Sequence, residues 1–336
     1  MKNQLIKNEY QAILFNLIQR ELPANYALVD VISDLLGISN DAAYRRIRGD
    51  KAINLEETVK LCRHFKISFD ALANVIIDEN FIRCRYMPLD LHVMDDYLAF
   101  LQDMSENIEG FRLAPEQEII MTTVDVPLFN LFSYKELTLF KMFSWNKTVY
   151  GDSDNYDSFF KEKESLENIK KTYDKIIYNY LLIPSSEIWT TNTIDPILRL
   201  LRYHSEMNHF EDKKMPLFLC EQLLDLLNTV EKWAEKGKKG PKEIPYHLYV
   251  SETDIANTFI LFKSLKQSSC LIRLYTVNGL TITDERFCKE TEQWLRNSAH
   301  RSTLVSGASE KERFKFFASQ KQKIRLLIDE IFHSNL

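Results

Sequence analysis

The sequence predicts a mainly α N-terminal domain of five helices, followed by a larger α+β domain with an antiparallel sheet and a helical insertion. Three observations lead there. Apolar residues recur at helical spacing through the first hundred residues, the period turns strand-like beyond residue 245, and Gly237-Lys238-Lys239-Gly240-Pro241 breaks the chain between the two regimes like a surface linker. At 336 residues the chain is long for one ordinary domain and comfortable for two.

The elements follow in order. Residues 5–20 form a first helix with Ile6, Tyr10, Ile13, Leu14 and Leu17 on one stripe, ended by Pro23. A second helix runs from Leu28 to Leu36, where Gly37 supplies a backbone with φ > 0, and Ser39 caps a third that Gly49 stops. Asn54-Leu55-Glu56-Glu57 is a capping box for a fourth helix carrying Val59, Leu61, Cys62 and Phe65, and Ser68-Phe69-Asp70-Ala71-Leu72 opens a short fifth. Pro88 then starts a helix in which Leu91, Met94, Leu98, Leu101 and Ile108 keep a 3-4 spacing, interrupted at Ser105. That spacing resembles a coiled-coil seam and suits either dimerisation or packing on the next domain. The expected divisions are therefore residues 1–82, a linker helix over 83–112, and residues 113–336.

Glu118 to Asp125 reads as a strand ended by Pro127. The helix after it carries Phe129, Phe132, Tyr134, Phe140, Phe143 and Trp145, a density that suits either the wall of a ligand pocket or core packing, with core packing favoured because no polar cluster converges in this stretch. Helices continue from 158 to 182, from Asp195-Pro196, and from Leu217 to Lys236. Strand character then marks Tyr246–Val250, Thr258–Phe262, Cys270–Thr276 and Leu280–Thr283, with Val277-Asn278-Gly279 as a hairpin turn. A helix from Asp284 to Leu295, a strand over Ser302–Val305 and a final helix opened by Ser309-Glu310-Lys311-Glu312 complete the pattern.

Composition excludes several classes. Hydrophobic residues make up 45% and charged residues 27%, as in soluble globular proteins. The first apolar run, interrupted by Asn16, does not read as a secretory signal, and no run reaches the ~20 apolar residues of a membrane span, so a cytoplasmic location is expected. Five widely spaced cysteines lack a Cys-x-x-Cys pair and read as buried thiols. His204 and His209, five apart, do not share a helix face as a metal pair would, so no metal or other cofactor is expected. Glycine loops that cradle phosphate, Gly-x-Ser-x-Gly and deaminase signatures are missing, and Asp95-Asp96 reads as a solvated pair. The chain is not expected to be an enzyme.

The third helix carries the chemistry. A net charge of −5 means that any contact with nucleic acid must be local. At about 100° per residue, Asn40, Asp41, Tyr44, Arg45 and Arg48 fall within roughly 140° of one another, whereas Ala43 and Ile47 lie toward the opposite side. Arg45 and Arg48 can fork onto guanine, Asn40 can pair with adenine, Asp41 can accept from a cytosine amine, and Tyr44 can bond a phosphate or pack on a thymine methyl. Ser39 and Lys51 flank this face toward phosphates. Arg46 lies off the arc, where it either pairs with an acidic neighbour or reaches a phosphate from the flank.

On these residues, 28–73 resemble the five-helix DNA-binding domain of the phage-repressor (XRE-type) transcription factors. The matches are Leu35-Leu36-Gly37-Ile38-Ser39 at the turn, Tyr44-Arg45-Arg46-Ile47-Arg48-Gly49, Asn54-Leu55-Glu56-Glu57 through Leu61, and Ile67-Ser68-Phe69-Asp70-Ala71-Leu72. Ala27-Leu28-Val29-Asp30 departs from the Thr or Ser and Gln that the family offers to phosphate. The resemblance implies a helix-turn-helix whose base contacts fall on Asn40, Asp41, Tyr44 and Arg45. It implies a transcription regulator acting on double-stranded DNA as a homodimer, with residues 113–336 sensing a small molecule or protein effector or driving assembly. A helical adaptor that binds protein instead of DNA, and an enzyme with a DNA-binding head, are the alternative readings.

Overall fold

Helical spacing in the first part of the chain yields four helices among the described residues of the computed structural model: α1 (Glu9–Glu21), α2 (Leu28–Leu36), α3 (Asn40–Ile47) and α4 (Leu55–His64). The structure describes residues 9–22, 26–65, 67, 69, 82, 84–87, 89, 94–151, 155–160, 166–274 and 278–334. These fall into two units, Met1–Phe81 and Ile82–Leu336. The first closes around Leu14, Phe15, Ile18, Ile32, Ala43 and Leu61. Of the expected α1 stripe, Leu14 enters this core with Ile13 and Leu17 packed against it, but Tyr10 is exposed, Gln11 is buried instead, and Ile6 lies outside the described residues. The expected short helix over 68–72 lies almost wholly outside the described residues.

The second unit is α+β. Its elements are β1 (Cys84–Met87), α5 (Met94–Arg112), β2 (Glu118–Thr122), α6 (Leu128–Leu131), α7 (Lys135–Tyr150), α8 (Tyr156–Phe160), α9 (Leu166–Tyr180) and β3 (Ser185–Thr190). There follow α10 (Asp195–Glu206), α11 (Met215–Lys236), β4 (Lys238–Lys239), β5 (Ile244–Ser251), β6 (Phe259–Lys263) and β7 (Ser269–Arg273). The last are β8 (Gly279–Ile282), α12 (Glu285–His300), β9 (Thr303–Leu304) and α13 (Glu310–Ser334).

The sheet runs β1-β8-β7-β6-β2-β3-β5, and β4 and β9 both pair with β5. It is mixed, not antiparallel as expected. β3 lies parallel to β2 on one side, Ile119 opposite Ser185, and parallel to β5 on the other, Ser185 opposite Tyr246. The helices between these strands are the crossovers that parallel pairing requires. All six β3 residues are buried, so Ser185-Ser186-Glu187-Ile188-Trp189-Thr190 shows no apolar alternation and escapes a reading by period. Successive side chains enter opposite layers: Ile119, Met121, Trp189 and Leu248 join the main helical core, while Ile120, Ile188 and Leu261 join a smaller core with Cys288 and Leu295 of α12.

The expected linker helix is part of this unit. Tyr97, Leu101 and Ile108 of α5 enter the main core, Tyr97 and Tyr173 of α9 share a hydroxyl hydrogen bond of 2.7 Å, and Arg112 Nε donates to Asn179 Oδ1 at 2.7 Å. The seam thus packs within the chain; Leu91 lies outside the described residues. Among the described residues, no helix is long and apolar enough to cross a membrane. Four cysteines are buried, but Cys84 is exposed. In the β7–β8 hairpin, Gly279 does not need a positive φ; a Cβ there would stand 2.8 Å from Leu271 Cδ1 and 3.2 Å from the Ile272 carbonyl.

Two buried polar centres lie in regions where the sequence suggested none. Lys239, within the expected surface linker, is fully buried: its Nζ donates to Ser185 Oγ at 2.7 Å and sits 3.3 Å from the centroid of the Tyr180 ring. Beside it, Glu187 accepts from the Tyr180 hydroxyl, from Trp189 Nε1 at 3.0 Å and from the Tyr246 hydroxyl at 3.3 Å. Burial pushes the Glu187 carboxyl above the usual range and brings the Lys239 ammonium down to about 7, against the pull of Glu187. The second centre joins His204 of α10 to His209. Asn208 adopts φ +53° and turns the chain back, so the two Nδ1 atoms are 2.8 Å apart against Phe143. Separation in sequence was therefore no guide to separation in space. Burial, with His209 and Lys147 adding to it, lowers His204 to about 4.

Lys239→Met removes one member of a buried charged group and is expected to cost about 3 kcal/mol in urea unfolding, and distinctly less when Glu187 is already Gln. His204 stays neutral in the fold while the unfolded chain takes up its proton near pH 6.5, so its contribution is complete above pH 6.5 and lost as pH falls toward 4. Unfolding free energies at pH 7.5 and pH 4 should differ by roughly 2 kcal/mol more in the wild type than in His204→Phe.

Candidate nucleic-acid interface

The α2–α3 corner is built by local rules. Gly37 closes α2 at φ +67°, a conformation that costs any residue with a Cβ. Ser39 then caps α3, its Oγ accepting from the Ala42 N–H at 3.3 Å. Ala43 is buried against α1 and α2, and Gly49, at φ +81°, turns the chain away after Arg48.

This packing divides the α3 side chains. Asn40, Asp41, Tyr44, Arg45 and Arg48 are exposed, and so are Ser39 and Lys51 at the two ends of the face. Ile47 is half-buried. The five residues expected from the sequence to contact bases and two of the three expected to contact phosphates are therefore all accessible. Two members already hold acidic partners: Asn40 Nδ2 donates to Asp30 Oδ1 at 3.1 Å, and Arg48 stands 3.2 Å from Asp50. Asp30 occupies the stretch in which a phosphate-binding side chain was absent, and Ala27 before it caps α2 with no side-chain bond.

Arg46 takes the first of its two expected roles. Only 5% exposed, it forks onto Glu57, Nε to Oε2 at 3.1 Å and Nη2 to Oε1 at 2.7 Å, while Nη1 donates to the Ala42 carbonyl at 3.1 Å. It is not available at the flank as a phosphate contact. Glu57 serves two structures at once, since the same carboxylate completes the α4 capping box on the Asn54 N–H. The Arg46 hydrogen bond holds the Glu57 carboxyl below the usual range despite partial burial. The bidentate pair ties α3 to α4 in a fixed orientation.

Gln11 completes the frame and was missed in the sequence. Its Nε2 donates to the carbonyls of Arg46 at 2.6 Å and Lys51 at 2.9 Å, and its Oε1 accepts from the Ile53 N–H at 3.0 Å. One side chain thus satisfies three backbone groups where α3 ends and the chain reverses. A polar residue one position from the presumed apolar stripe of α1 was the available signal.

In the second unit, Ser185 and Lys239 pair as a hydroxyl and an amine, and both are buried. Among the described residues, no three His, Cys, Asp or Glu side chains converge on a common point. Compared with family models, curated proteins and solved structures, the chain has no match, so its function is to be read from its own residues.

Gln11→Ala leaves two carbonyls and one N–H without their partner and is expected to cost about 1–3 kcal/mol, measured by thermal unfolding followed by circular dichroism. Tyr10→Ala, at an exposed position on the same helix, should stay within about 0.5 kcal/mol of wild type.

Proposed function

We propose that the chain is a sequence-specific DNA-binding transcription regulator, with α2 and α3 as a helix-turn-helix of the phage-repressor type and α3 as the helix that enters the major groove. The observation that carries this reading is the sorting of α3: five side chains able to address base edges are exposed together, while the helix is clamped from behind by Ala43, Arg46 and Gln11. Rigid presentation of a polar face by a short helix is what groove reading requires.

In this reading Arg45 and Arg48 address guanine, Asn40 adenine and Tyr44 a thymine methyl or a phosphate, and Asp41 accepts from cytosine or favours the positive N-terminus of α3. Ser39 and Lys51 contact phosphates. Asn40 and Arg48 exchange Asp30 and Asp50 for DNA when they bind. One unit offers few base contacts, so the functional species is a homodimer on two half-sites, with its dimer contact elsewhere than the α5 seam, which α9 occupies. The second unit sets when binding occurs.

Selection of bound duplexes from a random pool tests the whole reading: a recurrent two-fold symmetric site is expected, and recovery of random sequence would refute it. Arg45→Ala should weaken the selected site by ~1–3 kcal/mol and relax one base position. Binding that does not weaken between low and moderate salt would count against DNA as the ligand.

A further inference from the structure

The chain leaving β2 runs into two buried charges and a half-buried third that do not balance. Asp125 Oδ1 accepts from the Val126 N–H at 2.8 Å. Its Oδ2 accepts from Lys141 Nζ of α7 at 2.6 Å and from Arg273 Nη2 of β7 at 3.3 Å. Trp145, one turn along α7 from Lys141, places its ring centroid 5.4 Å from that ammonium and 5.8 Å from the guanidinium carbon. The Lys141 and Asp125 side chains are 2% and 4% exposed, whereas Arg273, at 17%, reaches solvent. A polar cluster thus converges on the aromatic helix where the sequence suggested none.

Two cations share one carboxylate, and among the described residues no second carboxylate is within ion-pair distance of either. With Lys141 and Arg273 counted as cations, the formal balance among the described residues is +1. Lys141 has three donors and Arg273 five, and among the described residues each spends one on Asp125. Burial and the repulsion of Arg273 hold the Lys141 ammonium below the ordinary lysine value even with Asp125 in contact, and Asp125 itself is held low by the two cations against its own burial. A buried surplus of positive charge and unfilled donors is stabilised by an anion. The position agrees: ligands in open sheets gather beyond the carboxyl ends of parallel strands, and β2 is one of three such strands here.

We propose that Asp125, Lys141, Arg273 and Trp145 form a binding site for a small oxyanion, the carboxylate or phosphate group of a low-molecular-weight effector. The anion enters beside Arg273, takes the free donors of its guanidinium and of Lys141, and brings the cluster to neutrality. Asp125 holds both cations in place. Nothing in this proposal depends on what the first unit binds.

The test is thermal unfolding of the full chain titrated with sodium acetate or sodium phosphate against a constant sodium chloride background. Site binding raises the melting temperature along a saturating curve, whereas general salt exclusion raises it without saturation. Saturation is expected for at least one anion, and the one with the lower half-saturation concentration identifies the effector group as carboxylate or phosphate. In Arg273→Gln that concentration should rise about tenfold or more, the loss of one charge-assisted contact. If Arg273→Gln does not fold, Arg273→Lys replaces it, keeping the charge and losing the fork, and again weaker binding is expected. Asp125→Asn, which leaves both cations unopposed, should gain more from the anion than the wild type does. A non-saturating response to both anions, or the same half-saturation in the wild type and the Arg273 variant, overturns the site. No DNA is present, so that result leaves the reading of the first unit intact.

Discussion

A carboxylate with no route to water must be answered by the protein, and Glu187 is answered by three aromatic donors. Tyr180 comes from the last turn of α9, Trp189 from β3 itself and Tyr246 from β5, so one side chain ties a crossover helix to two parallel strands. Lys239 adds a fourth element by resting on the Tyr180 ring and donating to Ser185. Partners of this kind are costly to leave half-made in a low-dielectric interior. The register of β3 and the short β4 therefore depend on the same few atoms. The rest of the second unit is arranged around that strand, with the main helical core on one face and α12 on the other.

The first unit solves a different problem with similar means. A helix of eight residues has little stability of its own and must be held by its neighbours. Ala43 permits close approach, Arg46 is fixed by Glu57, and Gln11 holds the backbone where α3 ends. Arg46 is the instructive case: an arginine in a basic helix invites assignment to a phosphate, yet its bond to Glu57 and its burial make it part of the scaffold. The outward set owes its alignment to residues that never face outward.

Legibility in the sequence followed the range of the interactions. Gly37, the Ser39 cap and the Asn54–Glu57 box act over three or four residues and could be placed from sequence alone. The wheel placed the exposed face of α3 and set Arg46 off it for the same reason. What escaped depends on distant partners. β3 carries serine and glutamate because parallel neighbours and helices bury it on every side, which removes the alternation that betrays a strand. Lys239 looked like linker material because nothing local announces Tyr180 and Ser185, some 54 to 59 positions away. His204 and His209 meet through one residue of positive φ, and Gln11 reaches backbone 35 to 42 positions distant. The α5 seam carried a true apolar face, but periodicity could not name α9 as what covers it.

Gln11 has one more consequence. Each of its three bonds goes to the main chain, so none depends on which side chains α3 displays. Asn40, Tyr44, Arg45 and Arg48 can each be replaced over evolutionary time without loosening the anchor behind them. The exposed face of α3 is free to drift at a few surface positions while the frame behind it is inherited unchanged.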